Sequence, residues 1–236
     1  LGMNDTTFKN CHGIDEDGHL TSSYDIAIMS RELLINHPQI TNYTTIWMDS
    51  LRDGKSSLVN TNKLVRNYSG CTGLKTGSTS LALYNLSASA TRNNLSLIAV
   101  VMKAPTPAIR FSEAQKLLDY GFSNYEATSF GKKGDIINTI NVNKGTSATV
   151  NAILEEDAQV LTKKSNSSEI SQEINLSDNI NAPILKGQKL GEITYKINGN
   201  IVSCVNLVAD KDVSALTFGS INKKVFKNWF SLFRNS

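Results

Sequence analysis

The chain has 236 residues, 40% of them hydrophobic and 19% charged, enough to bury one large core or two modest ones. A net charge of +3 is too small to call for a nucleic-acid partner, and no run of arginines is interleaved with aromatics. The longest apolar run, residues 97–102, falls far short of the ~20 residues that cross a bilayer.

The opening Leu1-Gly2-Met3 has neither an initiator methionine nor a signal-peptide pattern, so we read the chain as part of a longer or processed protein whose targeting information lies elsewhere. Cys11, Cys71 and Cys204 stand at unrelated spacings with no Cys-x-x-Cys pair, which argues against a disulfide framework and a zinc site. Cys71 has no histidine in a suggestive context beside it and reads as a small buried residue rather than a nucleophile. Residues 8–19 read as an irregular loop. His12, Asp15, Asp17 and His19 fit neither a helical His pair nor a calcium loop, so no metal is expected there.

Thr21 or Ser22 is placed to cap a helix with Ile26, Met29, Leu33 and Leu34 on one face, ended by Pro38. Residues 47–51, the turn at Asp53-Gly54 and the segment to Val65 suggest a short hairpin. Strand patterns then follow over residues 74–78, 82–91 and 95–103, with Asn93-Asn94 as the tightest turn, so an antiparallel meander is expected. The first of these strands carries Lys75-Thr76-Gly77: an ammonium and a hydroxyl along one open edge, with no side chain at the third position to obstruct a ligand. Such an edge suits an extended peptide ending in a carboxylate. Pro107 starts a helix with Phe111, Ala114, Leu117 and Leu118 as its apolar face and Arg110 near its beginning, and Gly121 is expected to close it.

After Tyr125 the texture changes to short alternating segments at residues 135–142, 147–154, 169–176, 191–197 and 201–208, divided by Gly, Asn, Asp and Ser turns, the pattern of an all-β domain. Residues 163–168 read as a solvated loop. Over residues 218–234, Phe218, Ile221, Val225, Phe226, Trp229, Phe230 and Phe233 gather on one side of a helix and cations, Lys224 among them, largely on the other. That amphipathic pattern suits a segment lying on an anionic membrane surface. The expected division is thus residues 1–124, an all-β domain at 125–213, and an anchor at 214–236.

Together these pieces resemble the low-molecular-mass penicillin-binding proteins that act as D-alanyl-D-alanine carboxypeptidases. The resemblance rests on Leu1-Gly2-Met3, on His12-Gly13 with Gly18-His19-x-Thr21-Ser22-x-x-Asp25, on Gly73-x-Lys75-Thr76-Gly77-x-Thr79, on Tyr84-Asn85-Leu86-x-Ala88-x-Ala90, and on Arg110-x-x-Glu113 with Leu117-Leu118-x-x-Gly121-Phe122. It implies an α+β chain: part of a penicillin-binding, β-lactamase-like domain of antiparallel sheet and helices, then a small all-β domain, then the amphipathic helix. It also implies an extracytoplasmic protein, peripheral on the outer face of the bacterial cytoplasmic membrane.

In that family a Ser-x-x-Lys, a Ser-x-Asn and a Lys-Thr-Gly motif build the site. The resemblance implies that Lys75, Thr76 and Gly77 are the last of these, that Lys75, Thr76 and Arg110 hold the substrate carboxylate, and that the Ser78 backbone N–H is half of an oxyanion hole. The substrate would be a peptidoglycan stem peptide ending in D-Ala-D-Ala, and β-lactam antibiotics would mimic it, in an acyl transfer that calls for no metal or cofactor. Ser129-Phe-Gly-Lys132, Ser220-Ile-Asn-Lys223 and Ser177-Asp178-Asn179 mimic the other two motifs, but all follow the Lys-Thr-Gly instead of preceding it. The nucleophile is therefore expected upstream of Leu1, and this chain alone is expected to be inactive. Thr72 in place of an acidic residue, Leu81-Ala82-Leu83 in place of Glu-Ala-Gly, and Cys11 in place of a proline depart from the family pattern. The alternative reading is a non-catalytic module, a degenerate relative that keeps peptide recognition without turnover.

Overall fold

A computed structural model describes residues 1–166, 170–219 and 222. The chain divides into two units, Leu1–Glu126 and Ala127–Ser236.

In the first unit, helix α1 (Ser23–Asn36) starts where Ser22, in extended backbone, accepts a hydrogen bond from the Asp25 backbone N–H. It stops at Asn36, immediately before His37-Pro38, because a residue before proline is driven out of helical backbone. A one-turn helix α2 (Thr41–Thr44) leads into the exposed hairpin β1 (Met48–Leu51) and β2 (Ser56–Val59). Where the sequence pattern suggested continued strand, a second single turn, α3 (Leu64–Asn67), buries Leu64.

Three strands follow as an antiparallel meander in the order β3 (Cys71–Thr79), β4 (Leu83–Arg92), β5 (Leu95–Ala104). The β4–β5 turn is tight because Asn93 and Asn94 both adopt left-handed backbone, at φ 48 and 63°. Helix α4 (Pro107–Asn124) is capped by the Thr106 hydroxyl, which accepts from the Ile109 backbone N–H. Gly121 does not close this helix. It lies inside it and is buried, and a Cβ there would come within 2.4 Å of Leu97 Cδ1, so the missing side chain serves close packing on β5.

The two faces of this sheet differ. On one, Leu86, Ala88 and Ala90 of β4 pack with Ala99, Ala114, Leu118, Leu64 and Tyr68 as the core beneath α4. Leu86 and Leu118 are 2% and 1% exposed, and burial of each contributes about 1.5–3 kcal/mol. On the other face α1 lies over β4 and β5, joined to the sheet by a 2.7 Å hydrogen bond between the buried hydroxyls of Ser30 and Ser87.

The second unit begins with β6 (Tyr125–Gly131), which crosses from the first and pairs with β9 (Ala158–Lys163). Its main sheet uses β7 (Ile136–Asn143), β8 (Thr149–Leu154), β10 (Ile170–Leu176), β11 (Asn179–Asn181), β12 (Lys189–Ile197) and β13 (Asn200–Ala209). The strand order is β10-β12-β13-β8-β7-β11, antiparallel throughout except that β11 runs parallel to β7. Alternate residues such as Val150, Ala152 and Leu154 of β8 and Ile193 and Tyr195 of β12 point into one apolar core, the period-2 rule of a half-buried strand. The helix expected over residues 218–234 lies outside the described residues except at positions 218, 219 and 222. Phe218 is exposed, and Ile221, Lys224, Val225, Phe226, Trp229, Phe230 and Phe233 fall outside the description.

Candidate active site

The residues singled out in the sequence lie on β3 and on what surrounds it. Directly opposed residues of an antiparallel pair share a face, and the register sets Lys75 opposite Ser87 and Thr76 opposite Leu86. Lys75 therefore points to the α1 side of the sheet and Thr76 to the α4 side. On the α1 side, Lys75 and Gly77 border a cavity of about 420 Å³ whose apolar lining includes Ile26, Met29, Leu33 and Val100.

Lys75 is exposed and its ammonium donates to the carbonyl of its neighbour Thr76. Thr76 is only 8% exposed, and its hydroxyl lies 2.6 Å from the hydroxyl of Thr61. Gly77 and Ser78 are exposed. A Cβ built on Gly77 would meet no atom within 4 Å, and its φ is not in the left-handed range. The fold itself therefore imposes no glycine at this position, and an extended ligand lying against the strand would.

Arg110, on the first turn of α4, is 7% exposed and reaches β3 from the α4 side. Its Nη1 donates to the carbonyls of Asn85 at 3.1 Å and Gly77 at 3.4 Å, with the guanidinium 4.6 Å from the centre of the Phe111 ring. Its Nε is buried and makes no hydrogen bond among the described residues. Burial presses its ionisation below the ordinary arginine range, with Tyr84 opposing that shift. The structure thus brings Arg110 to the backbone of the triplet, at the Gly77 carbonyl.

Asn85 shapes the same corner. The β4–β5 register slips between Tyr84 and Leu86, a bulge at Asn85. The Asn85 side chain holds the bulge, donating to the carbonyls of Ala82 and Leu83 and accepting from the Lys103 backbone N–H at 2.8 Å. At the far end of β3, Thr79 donates to Asp15 at 2.6 Å, tying the loop before α1 to the strand. Within that loop His12 and His19 accept hydrogen bonds from the backbone N–H groups of Ile14 and Lys9, and among the described residues no three His, Cys, Asp or Glu side chains are grouped to hold a metal ion.

The free edge of β3 is partly covered. Thr44 donates to the Thr72 carbonyl at 2.6 Å and Asn62 to the Gly73 carbonyl at 3.0 Å, so open edge begins at the triplet itself. Cys71 donates to the Gly73 carbonyl at 3.5 Å, and burial pushes its thiol up, away from the thiolate a nucleophile needs. Sequence reasoning missed Thr61, which no periodicity marks. The one available signal is the polar cluster Asn60-Thr61-Asn62 just after a strand, which reads as an ordinary turn.

Comparison with known proteins adds to this geometry. A family model described as D-alanyl-D-alanine carboxypeptidase matches residues 1–106, and one described as penicillin-binding protein 5, C-terminal domain, matches residues 125–215. The chain is 39% identical over 233 residues to D-alanyl-D-alanine carboxypeptidase DacF of Bacillus subtilis, covering 97% of this chain and 60% of that protein. It is 34% identical over 225 residues to D-alanyl-D-alanine carboxypeptidase DacA of Haemophilus influenzae, covering 94% and 57%. Among solved structures it is similar to penicillin binding protein 5 from Haemophilus influenzae, with a TM-score of 0.69 at 32% identity over 90% of this chain and 62% of that one. A peptidoglycan synthesis regulatory factor (PBP3) from Streptococcus pneumoniae matches with a TM-score of 0.69 at 27% identity, over 86% and 60%. The chain thus spans about 60% of the length of the curated relatives it matches.

Proposed function

The chain belongs to the D-alanyl-D-alanine carboxypeptidase family of low-molecular-mass penicillin-binding proteins, and from that premise we propose that it is the carboxylate-binding half of a serine carboxypeptidase site acting on peptidoglycan stem peptides. The names of its relatives, D-alanyl-D-alanine carboxypeptidase and penicillin binding protein, support this substrate class and the binding of penicillins. The local observation that carries the reading is Gly77, a glycine the fold does not impose, set between the exposed Lys75 and Ser78 on the uncovered part of an edge strand.

A peptide ending in D-Ala-D-Ala lies along β3 as an added strand. The Lys75 ammonium and the Thr76 hydroxyl take its terminal carboxylate, a charge-assisted pairing stronger than a neutral one. Arg110 contributes positive charge from the α4 side while bracing the Gly77 carbonyl. A serine supplied from upstream of this chain attacks the carbonyl between the two D-alanines. The oxyanion formed is met by the Ser78 N–H and by the serine's own N–H. The C–N bond then breaks, D-alanine leaves carrying the proton, and water hydrolyses the acyl-enzyme, returning the serine.

On this reading the chain has no turnover without its upstream region, and the protein is extracytoplasmic, held on the outer face of the bacterial cytoplasmic membrane by residues 218–236. The test is D-alanine release from a diacyl-D-Ala-D-Ala peptide by the protein extended upstream. Release that requires Lys75 is expected. Peptide binding without release, in a protein whose upstream region holds no Ser-x-x-Lys, would favour the non-catalytic recognition module instead.

A further inference from the structure

Thr61 stands outside every motif that pointed to the site, yet its hydroxyl is the group hydrogen-bonded to the Thr76 hydroxyl, at 2.6 Å. Its placement is fixed by its neighbours on both sides. Asn60 donates to the carbonyls of Thr44 and Ile46 at 3.1 and 2.9 Å, and accepts from the Asn62 backbone N–H at 2.9 Å. Asn62 is 1% exposed, donates to the Gly73 carbonyl on β3 and accepts from the Leu64 backbone N–H. Thr61 is thus a solvent-exposed side chain on a segment bolted to the triplet's own strand.

A threonine hydroxyl has one proton to donate and two lone pairs to accept with. Two hydroxyls that face each other share one of their two protons, and in the unliganded protein either oxygen can be the donor. A carboxylate accepts only. When it arrives at Thr76 it claims the Thr76 proton, and the Thr61–Thr76 bond survives only with Thr61 as donor. The three groups then form one directed chain, Thr61 O–H to Thr76 O–H to carboxylate, in which each bond polarises the next.

We propose that Thr61 is a positioning residue for carboxylate recognition: by donating to Thr76 it commits the single Thr76 proton to the anionic terminus of the substrate. The inference rests on the carboxylate-clamp reading of the triplet and deepens it, because it predicts selectivity for a charged terminus over an uncharged one of the same shape.

The test uses the protein extended upstream, in three forms: unsubstituted, Thr61→Val and Thr61→Ser. Each is acylated with a penicillin and, separately, with the methyl ester of that penicillin. Thr61→Val keeps the shape and removes the donor, and it should lower the second-order acylation constant for the free acid by roughly three- to tenfold, the weight of one hydrogen bond to a group engaged with a charge. The loss should be smaller for the ester, and Thr61→Ser, which keeps the donor, should restore most of the rate. Equal acylation by all three forms overturns the inference. So does an equal loss for acid and ester, or equal impairment by Val and Ser, each of which marks a merely structural role. Failure of the unsubstituted protein to be acylated overturns the catalytic reading itself, and this inference with it.

Discussion

The bond between Ser30 and Ser87 ties α1 to the sheet that carries Lys75, and it makes a quantitative prediction. The two serines are 5% and 8% exposed with their hydroxyls 2.7 Å apart, and Ser87 sits opposite Lys75 on one side and Val100 on the other. Deleting one hydroxyl leaves the other buried without its partner, a penalty of about 1–3 kcal/mol. In Ser30→Ala a helix-propensity gain of about 0.5 kcal/mol offsets part of that loss, whereas Ser87→Ala in a strand has no such relief. Removing both hydroxyls strands neither, so the double variant should lose less than the two single losses added together, with a coupling of about 1 kcal/mol or more. Urea unfolding of the four proteins, followed by Trp47 fluorescence in a Trp229→Phe background, measures this cycle. Strict additivity would refute the claim that the two hydroxyls satisfy each other.

Two further outcomes are expected. Tyr68 is 6% exposed and donates to Asp119 at 2.7 Å, and burial first, then Asp119, pushes its phenol up to about 12 against the opposing Arg92. The folded protein therefore holds this proton longer than the unfolded chain, so the stabilisation is complete below about pH 10 and is lost as pH rises towards 12. The stability difference between the unsubstituted protein and Tyr68→Phe should shrink across that window, and a difference that stays flat would contradict the assignment. Deleting residues 218–236 should release the protein from anionic vesicles in a sedimentation assay, and undiminished binding would rule out the anchor.

What could be read from the chain beforehand was local. Ser22 and Thr106 announce their helices because a cap acts over three residues, and Asn93-Asn94 announces its turn because only a few residue types tolerate left-handed backbone. Gly121 marks the limit of such local signals: a glycine late in a helix looks like a cap, and only the packing of Leu97 against it reveals the other use. The single turn α3 is hidden because its four residues, only Leu64 and Val65 of them apolar, are too few to display a period. In the β unit the alternating strands were visible one by one, but β6, β9 and β11 were not, and the order β10-β12-β13-β8-β7-β11 depends on pairings between distant segments.

The site divides in the same way. Lys75, Thr76 and Gly77 are consecutive and can be found together by inspection. Thr61 reaches Thr76 only because Asn60 and Asn62 pin its loop, and Arg110 reaches the Gly77 and Asn85 carbonyls only because α4 returns across the meander. Contacts made by folding over such separations leave no spacing signature in the chain.

The most direct measurement is covalent labelling of the upstream-extended protein by a fluorescent penicillin, compared with Lys75→Ala and with Gly77→Val. The account predicts an adduct on the unsubstituted protein, severe loss of labelling for Lys75→Ala, and loss for Gly77→Val without loss of stability, since the new side chain enters open space above β3 and displaces the ligand alone. An unlabelled parent protein, or labelling indifferent to both substitutions, would contradict it.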